Sequence, residues 1–236
     1  MDDEDHRRTV WPLFGLRVRT PRVELRPVDP DLAYDLGRLA TAGIHDPDTM
    51  PFFVPWTRAE PLELERSSLQ FYLRVWADFA ADRWSLPLAC FVDGELVGMQ
   101  DLLGDQFPIR RTVTTGSWVG RAHQGRGIGT EMRSAALHLA FAGLGAERAE
   151  TEAFEENQAS IVVSRRNGYE PNGDRIAVRD DEPARLVRLV LRREAWVARR
   201  RTDVEISGLD DEALAMFGLG PRAGAPAGTD GAPAGG

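Results

Sequence analysis

The 236-residue chain contains no lysine: all 29 of its strongly basic side chains are arginine. It therefore has no ε-amine of its own to be modified. The phosphate loop that ends in Gly-Lys-Ser/Thr is excluded with it. Cysteine is nearly as scarce. The single thiol, Cys90, lies in the apolar run Leu88-Ala89-Cys90-Phe91-Val92, where a small buried hydrophobe is the expected role. Structural zinc needs more thiols than that, and the four histidines show no ligand spacing, so no metal is expected. No apolar run approaches the roughly 18–20 residues that span a bilayer. The opening Met1-Asp2-Asp3-Glu4-Asp5 is acidic, the reverse of a secretory leader. The expectation is a cytoplasmic protein with no membrane partner. A net charge of −8 argues against nucleic acid and favours a cationic small molecule or basic protein segment.

What is present fits one core domain with extensions. Residues 1–15 read as an N-terminal arm, 16–200 as the folded domain and 201–219 as a C-terminal extension. Residues 220–236, nearly all Gly, Ala and Pro, have almost nothing to bury and are expected to be disordered. Residues 16–26 alternate apolar and polar on both sides of Pro21, as a bulged or edge strand does. Leu32, Leu36 and Leu39 set a helix over 31–42, and four prolines make 43–61 a long loop before a helix over 62–81. Asp93-Gly94 joins strands 84–92 and 95–103 as a hairpin, and 112–119 forms a third antiparallel strand. A helix over 127–144 follows, then a strand over 148–154 and a helix over 157–167 that stops at Gly168. Strands are expected at 176–178 and 186–191, and a short basic helix at 192–201. A strand near 204–206 and a helical turn over 210–217 complete the pattern.

The stretch from Gly116 to Glu131 carries the chemistry. A strand ending at Val119 runs into a loop with Gly125, Gly127 and Gly129 at alternating positions, and the chain then turns helical. Such a turn leaves successive backbone amides without acceptors, aimed along the start of the helix dipole, and makes an anion site whose usual guest is phosphate. The dinucleotide fingerprint Gly-x-Gly-x-x-Gly does not match, because the spacing here is Gly-x-Gly-x-Gly.

The order of elements and the segment Gln124-Gly125-Arg126-Gly127-Ile128-Gly129 resemble the GCN5-related N-acetyltransferase (GNAT) superfamily and its pyrophosphate signature Arg/Gln-x-x-Gly-x-Gly/Ala. Asn157-x-x-Ser160 followed by Asn167-Gly168-Tyr169, and the strand Thr20-Pro21-Arg22-Val23-Glu24-Leu25-Arg26, resemble the branch that acetylates ribosomal-protein N-termini. The resemblance covers about residues 16–200. It implies an α+β fold in α/β/α layers, with a mixed, mostly antiparallel central sheet flanked by helices. It also implies an acyl-CoA co-substrate, acetyl-CoA or succinyl-CoA, and an acceptor amine from a protein N-terminus, a lysine or a small molecule.

Carried over residue by residue, the resemblance gives coenzyme A to the amides of Gln124, Gly125, Arg126, Gly127, Ile128 and Gly129, to Thr130, and to Asn157. It gives the thioester carbonyl to a backbone amide at Val119 or Trp118, and protonation of the leaving thiolate to Ser160, with Tyr169 as the family's alternative acid. Where the branch carries a glutamate after Gly-Phe, this chain has Asn172, which takes no proton. Glu152, His45, Asp46 or water are left as base. His45, Phe52, Trp56 and Glu152 stand as acceptor-side residues. His45-Asp46-Pro47, Met50-Pro51-Phe52 and Trp84-Ser85-Leu86-Pro87 also resemble members that transfer succinyl groups, whose carboxylate Arg58, Arg110, Arg111 or Arg121 would meet. The rival expectation is a GNAT-like sensor or scaffold that binds CoA without turnover. The arginine-rich segment after Leu191 would suit a homodimer contact.

Overall fold

The computed structural model describes residues 3–221. Helix α1 (Asp3–Val10) and a 3-10 turn (Pro12–Gly15) lead into strands β1 (Arg17–Arg19) and β2 (Val23–Pro27), then helices α2 (Pro30–Thr41) and α3 (Pro61–Ala77). Strands β3 (Arg83–Val92) and β4 (Glu95–Asp105), the short helix α4 (Phe107–Arg110) and strand β5 (Thr112–Val119) follow. Next come helix α5 (Ile128–His138), extended by a π turn over Leu139–Gly143, strand β6 (Arg148–Phe154) and helix α6 (Gln158–Arg166). The chain ends in β7 (Glu170–Arg179), β8 (Glu182–Arg192), α7 (Arg193–Val197), β9 (Glu205–Ser207) and α8 (Asp211–Met216). The nine strands form one sheet in the order β7-β8-β6-β5-β4-β3-β2-β1-β9.

Local chemistry explains most of these boundaries. Helix α2 begins where the Asp29 carboxylate accepts the Leu32 amide (2.8 Å) and Pro30 supplies a first residue that needs no acceptor. The β3–β4 hairpin turns on Asp93 and Gly94, both left-handed (φ 51° and 80°), which is the geometry of a two-residue type I′ turn. Two expectations change. The strand foreseen over 16–26 is a tight antiparallel pair, β1 with β2, because the Thr20 hydroxyl accepts the Val23 amide (2.9 Å) and closes a turn at Pro21. The strands expected at 176–178 and 186–191 are the middles of one long hairpin. Its turn, Asp180-Asp181, is left-handed at both residues without a glycine.

Two apolar layers sandwich the sheet. Helix α5, α8 and the 3-10 turn cover one face, with Leu13, Met132, Phe141, Trp196 and Phe217 in its core. Helices α2 and α3 cover part of the other, over Leu36, Tyr72, Ala89, Met99 and Trp118. The arm and the C-terminal extension lie against this same core: Leu13 is buried, Trp11 packs edge-on to Phe79 (5.7 Å), and Phe217 meets Trp84 at 4.9 Å. Strand β9 pairs with β1. Residues 222–236 of the expected tail lie outside the described residues. The feature that positions the site is the parallel pair β5–β6. It holds for only Thr112 to Thr114 against Arg148 to Glu150, and beyond that the strands diverge.

Candidate active site

At the start of α5 the chain must double back from a strand end into a helix, and Gly125 and Gly127 do this with left-handed backbones (φ 77° and 80°). No side chain caps the helix. Among the described residues the amides of residues 125–129 have no backbone acceptor; the first helical bonds run from Thr130 and Glu131 to the Gly127 carbonyl (3.2 Å each). Four of these five residues, Gly125, Gly127, Ile128 and Gly129, line one cleft at the positive end of an eleven-residue helix. Gln124 holds the loop in place: its Nε2 donates to the carbonyls of Ile44 and Val119 (2.8 Å each). The Arg126 side chain does not line the cleft, and its carbonyl accepts from Arg22.

The cleft continues into the fork between β5 and β6. The Gly120 amide donates to the Val97 carbonyl (2.8 Å) in continuation of the β4–β5 register, so the even positions of β5 turn their peptide groups toward β4, and the Gly116 carbonyl also accepts from the Gln100 side-chain Nε2 (2.7 Å). The Thr115 carbonyl accepts from Thr151 on β6 (2.9 Å). By alternation, Ser117 and Val119 present their amides to the fork, where no strand stands to accept them, and Trp118 presents its amide to β4. On the opposite wall, Asn157 caps α6, its Oδ1 accepting the Ser160 amide (3.2 Å), which leaves its Nδ2 for a ligand. Asn157 and Ser160 line the groove together with Ser117, Trp118, Val119, Gln124, Gly125, Gly127, Ile128, Gly129 and Thr130. The groove encloses about 640 Å³. Ser164, on the same sequence stripe, is fully buried and bonds back to the Ser160 carbonyl.

The acceptor-side residues divide. His45 and Phe52 line the same groove, with His45 Nε2 against the Thr57 hydroxyl (2.7 Å). Phe52 packs between His45 (5.7 Å) and Trp56 (5.3 Å), and Trp56 reaches Trp118 (6.4 Å), so the proline-rich loop forms an aromatic wall beside the strand end. Glu152 stands apart, ion-paired with Arg175 (2.6 Å). The cations considered for a succinyl carboxylate, Arg58, Arg110, Arg111 and Arg121, do not line the groove; Arg58 binds Asp180, Arg110 binds Asp105, and Arg111 reaches the Leu144 carbonyl. Tyr169 is buried, its hydroxyl 3.0 Å from Thr115, and burial pushes the phenol above its ordinary range.

Two features escape sequence reasoning. Arg22, Arg166, Arg199, Arg200 and Arg201 converge beside Gly127, Thr130 and Asn167 in a second hollow adjoining the helix start. The segment after Leu191 packs on its own chain through Trp196, stacked on Phe141 at 5.0 Å. Burial pushes the Glu131 carboxyl up, but the Thr20 hydroxyl (2.6 Å), Arg22 and Arg201 outweigh it and hold Glu131 below the usual carboxylate range. The second feature is Arg133, 2% exposed, which donates to Gln100 (2.9 Å), Thr115 (2.9 Å) and Ser117 (2.8 Å) and has no ion-pair partner among the described residues. It sets positive charge behind the fork.

Comparison with known proteins gives the geometry a context. Residues 22–170, more than half of the chain, match the family model described as an acetyltransferase (GNAT) domain. Among solved structures, Mycobacterium smegmatis RimJ in complex with CoA-disulfide superposes with a TM-score of 0.63 at 22% identity, over 83% of this chain and 97% of its own. A GCN5-related N-acetyltransferase from Brucella melitensis gives 0.63 at 20% identity, over 77% and 80%. A spermidine N-acetyltransferase SpeG chimera from Vibrio cholerae and hSSAT gives 0.60 at 15% identity, over 75% and 99%. At these identities the likeness establishes a common fold.

Proposed function

Because this chain belongs to the GNAT acetyltransferase family, we propose that it moves an acyl group from a coenzyme A thioester to a primary amine by direct attack of the amine. One observation carries the reading. The unpaired amides of residues 125–129 open onto the fork where β5 leaves β6, so a groove that begins at a phosphate site ends at an amide aimed at nothing.

Each part of the groove has a task. The amides of 125–129 and the Thr130 hydroxyl hold the pyrophosphate, and the adjoining arginines Arg166, Arg199 and Arg200 neutralise the remaining phosphate charge. The Asn157 amide steadies the pantetheine arm. The Val119 amide donates to the thioester carbonyl and to the oxyanion it becomes, an interaction that strengthens as negative charge develops. The amine nitrogen bonds to the carbonyl carbon, the carbon–sulfur bond breaks, and the Ser160 hydroxyl protonates the departing sulfur before regaining a proton from water. Acetyl is the acyl group this fork suits best, since none of Arg58, Arg110, Arg111 and Arg121 lines the groove, and the first three are engaged elsewhere. Succinyl remains the alternative donor, and its carboxylate would have to reach toward Arg133 through Ser117.

Calorimetry with CoA, acetyl-CoA and succinyl-CoA, followed by thiol-release assays on peptides and small amines, tests the reading. Binding of a thioester with turnover on an amine is the expected result. If no thioester binds at millimolar concentration, the proposal is wrong; tight binding without turnover on any acceptor would point to a sensor. Ser160→Ala should reduce turnover more than CoA affinity, and an unaltered rate would remove Ser160 from the reaction.

A further inference from the structure

The hydrogen-bond network around Arg133 leaves one proton unused, and that proton stands at the groove. Arg133 reaches from α5 into the sheet and donates to Gln100 Oε1 (2.9 Å), Thr115 Oγ1 (2.9 Å) and Ser117 Oγ (2.8 Å). Gln100 is fixed in this orientation, because its Nε2 donates to the carbonyls of Asp101 (2.9 Å) and Gly116 (2.7 Å). Thr115 is saturated. Its own proton goes to the Glu150 carbonyl (3.3 Å), and its oxygen accepts from Arg133 and from the Tyr169 hydroxyl (3.0 Å). Ser117 differs: its oxygen accepts from Arg133, but its hydroxyl proton has no acceptor among the described residues, and Ser117 lines the groove.

Arg133 brings a full charge to this network, and no carboxylate balances it there. Glu131, two residues earlier on α5, is held by Thr20, Arg22 and Arg201. Asp101, next to Gln100 on β4, lies on the face covered by α2 and α3, with Met99. Burial there raises its carboxyl to about 7, and the Ser85 hydroxyl and the Leu102 amide partly offset the rise. A cation buried among neutral acceptors is costly to hold, and it favours negative charge on the side where its network opens. It opens at Ser117. This residue stands two positions before Val119 on β5, about 6–7 Å away. Suppose a thioester oxygen accepts the Val119 amide. That hydrogen bond, the width of the thioester group and a hydrogen bond at its sulfur then span the distance to Ser117.

Resting on the acyl-transfer reading above, we propose that the Ser117 hydroxyl, with the Arg133 guanidinium behind it, donates a hydrogen bond to the departing sulfur and stabilises it as a thiolate. Ser117 is then a catalytic residue, and Arg133, which acts through it, a positioning residue. The amine nitrogen bonds to the carbonyl carbon, the electron pair of the broken carbon–sulfur bond goes to sulfur, and the surplus proton of the nitrogen leaves to water. Ser117 keeps its own proton; Ser160, which lines the same groove, then protonates the thiolate. The balance is thioester plus amine giving amide plus thiol. The titratable groups that line the groove are His45 and Asp46 from the proline-rich loop, His123 between β5 and α5, and Glu156 before α6. Tyr169 lies behind Thr115, and Arg133 is the cation in direct contact with Ser117.

The thiol of bound CoA is the test. A free thiol titrates at about 8.5, and electropositive surroundings lower it. CoA on a saturating excess of the full chain, followed by thiolate absorbance against the same protein without CoA, should titrate lower by about one unit or more. Cys90, the chain's one thiol, does not interfere, since burial pushes it up to about 12. Ser117→Ala should return the bound thiol to its free value and lower kcat roughly 10- to 100-fold with acetyl-CoA and the amine best used by the wild type. CoA affinity at neutral pH should stay within about twofold. Ser117→Thr keeps a hydroxyl and should recover both the titration and the rate. Arg133→Gln should raise the bound thiol as Ser117→Ala does; if it fails to fold, the two Ser117 variants decide. A wild-type protein whose bound CoA titrates like free CoA overturns the inference, and so does a Ser117→Ala protein with the wild-type kcat. A Ser117→Ala protein that loses turnover of succinyl-CoA but not of acetyl-CoA also overturns it, in favour of a site for an acyl carboxylate. A wild-type protein that turns over no amine instead overturns the acyl-transfer reading, whatever its thiol titration, and this inference falls with it.

Discussion

Replacing Gly127 with aspartate tests the phosphate site through two separable effects. The residue is left-handed (φ 80°), so any side chain strains the backbone; the space itself is open, the nearest atom to a new Cβ being the Arg22 Nη2 at 3.6 Å. Gly127→Ala therefore isolates the backbone effect. It should cost about 1 kcal/mol of stability and, once folded, leave the anion site nearly intact. Gly127→Asp adds a negative charge beside the five amides. At about 5–6 Å from a phosphate charge and an effective dielectric near 20, the repulsion is about 3 kcal/mol, roughly a hundredfold in affinity. Arg22 will claim part of that charge, since it already spans Glu131 and the Arg126 carbonyl. Calorimetry with CoA on wild type and both variants, at one salt concentration, with melting temperatures alongside, separates the effects. The expected order is wild type close to alanine, and aspartate weaker by about 30- to 100-fold. Equal CoA affinity in all three would refute the placement of pyrophosphate on residues 125–129. A loss in the alanine variant as large as in the aspartate variant would refute the electrostatic argument.

Three further outcomes follow from the site. Arg199→Ala with Arg200→Ala should weaken CoA by tenfold or more while leaving dephospho-CoA nearly unchanged, because these arginines adjoin the helix start from the side opposite the fork; equal losses for both ligands would show a general field effect. Asp101→Asn should stabilise the protein at alkaline pH and have little effect in acid. The carboxyl is raised from 3.8 to about 7, so the stability associated with its protonated form is complete below 3.8 and is lost as pH rises through 7. The upper limit is about 4 kcal/mol, and melting curves at pH values on either side of 7 measure it. Glu131→Gln should act with the opposite sign. Its carboxyl is held below 4.5, so its contribution is present above 4.5 and lost as pH falls through the lowered folded value. The variant should be less stable than wild type at neutral pH, and the gap should close in acid.

What could be read from the chain alone is what is encoded locally. The turn from β5 into α5 is written in three alternating glycines, and the β3–β4 hairpin in Asp93-Gly94, so both were legible without tertiary information. The β7–β8 hairpin was not, because its turn uses Asp180-Asp181 and carries none of the glycine by which such turns are recognised. The arginine cluster is likewise assembled by folding: Arg22 follows β1, Arg166 ends α6, and Arg199 to Arg201 follow α7, and no spacing links them. Asp101 is the clearest case. In sequence it is one of four polar residues in β4, beside Gln100, and indistinguishable from a solvent-facing one. Its burial depends on α3 crossing that face, and its position beside the fork depends on the β4–β5 register. Glu152, by contrast, had the expected residue type on an expected strand, yet its side chain is committed to Arg175.

The pairing of β1 with β9 bears on how the protein is made. Arg17 pairs with Ser207, so the edge of the sheet closes only when nearly the whole described chain is available. Bringing such ends together costs roughly 4–5 kcal/mol for a loop of about 190 residues, and the three-residue strand repays it only with help from Leu214 and Phe217 packing beside Leu13. During synthesis from the N-terminus, β1 therefore waits as an open edge while the groove, formed by residues that emerge earlier, is assembled. The segment from β9 to Phe217 acts as a seal, and a chain cut short before residue 205 would carry the groove and an unprotected sheet edge together.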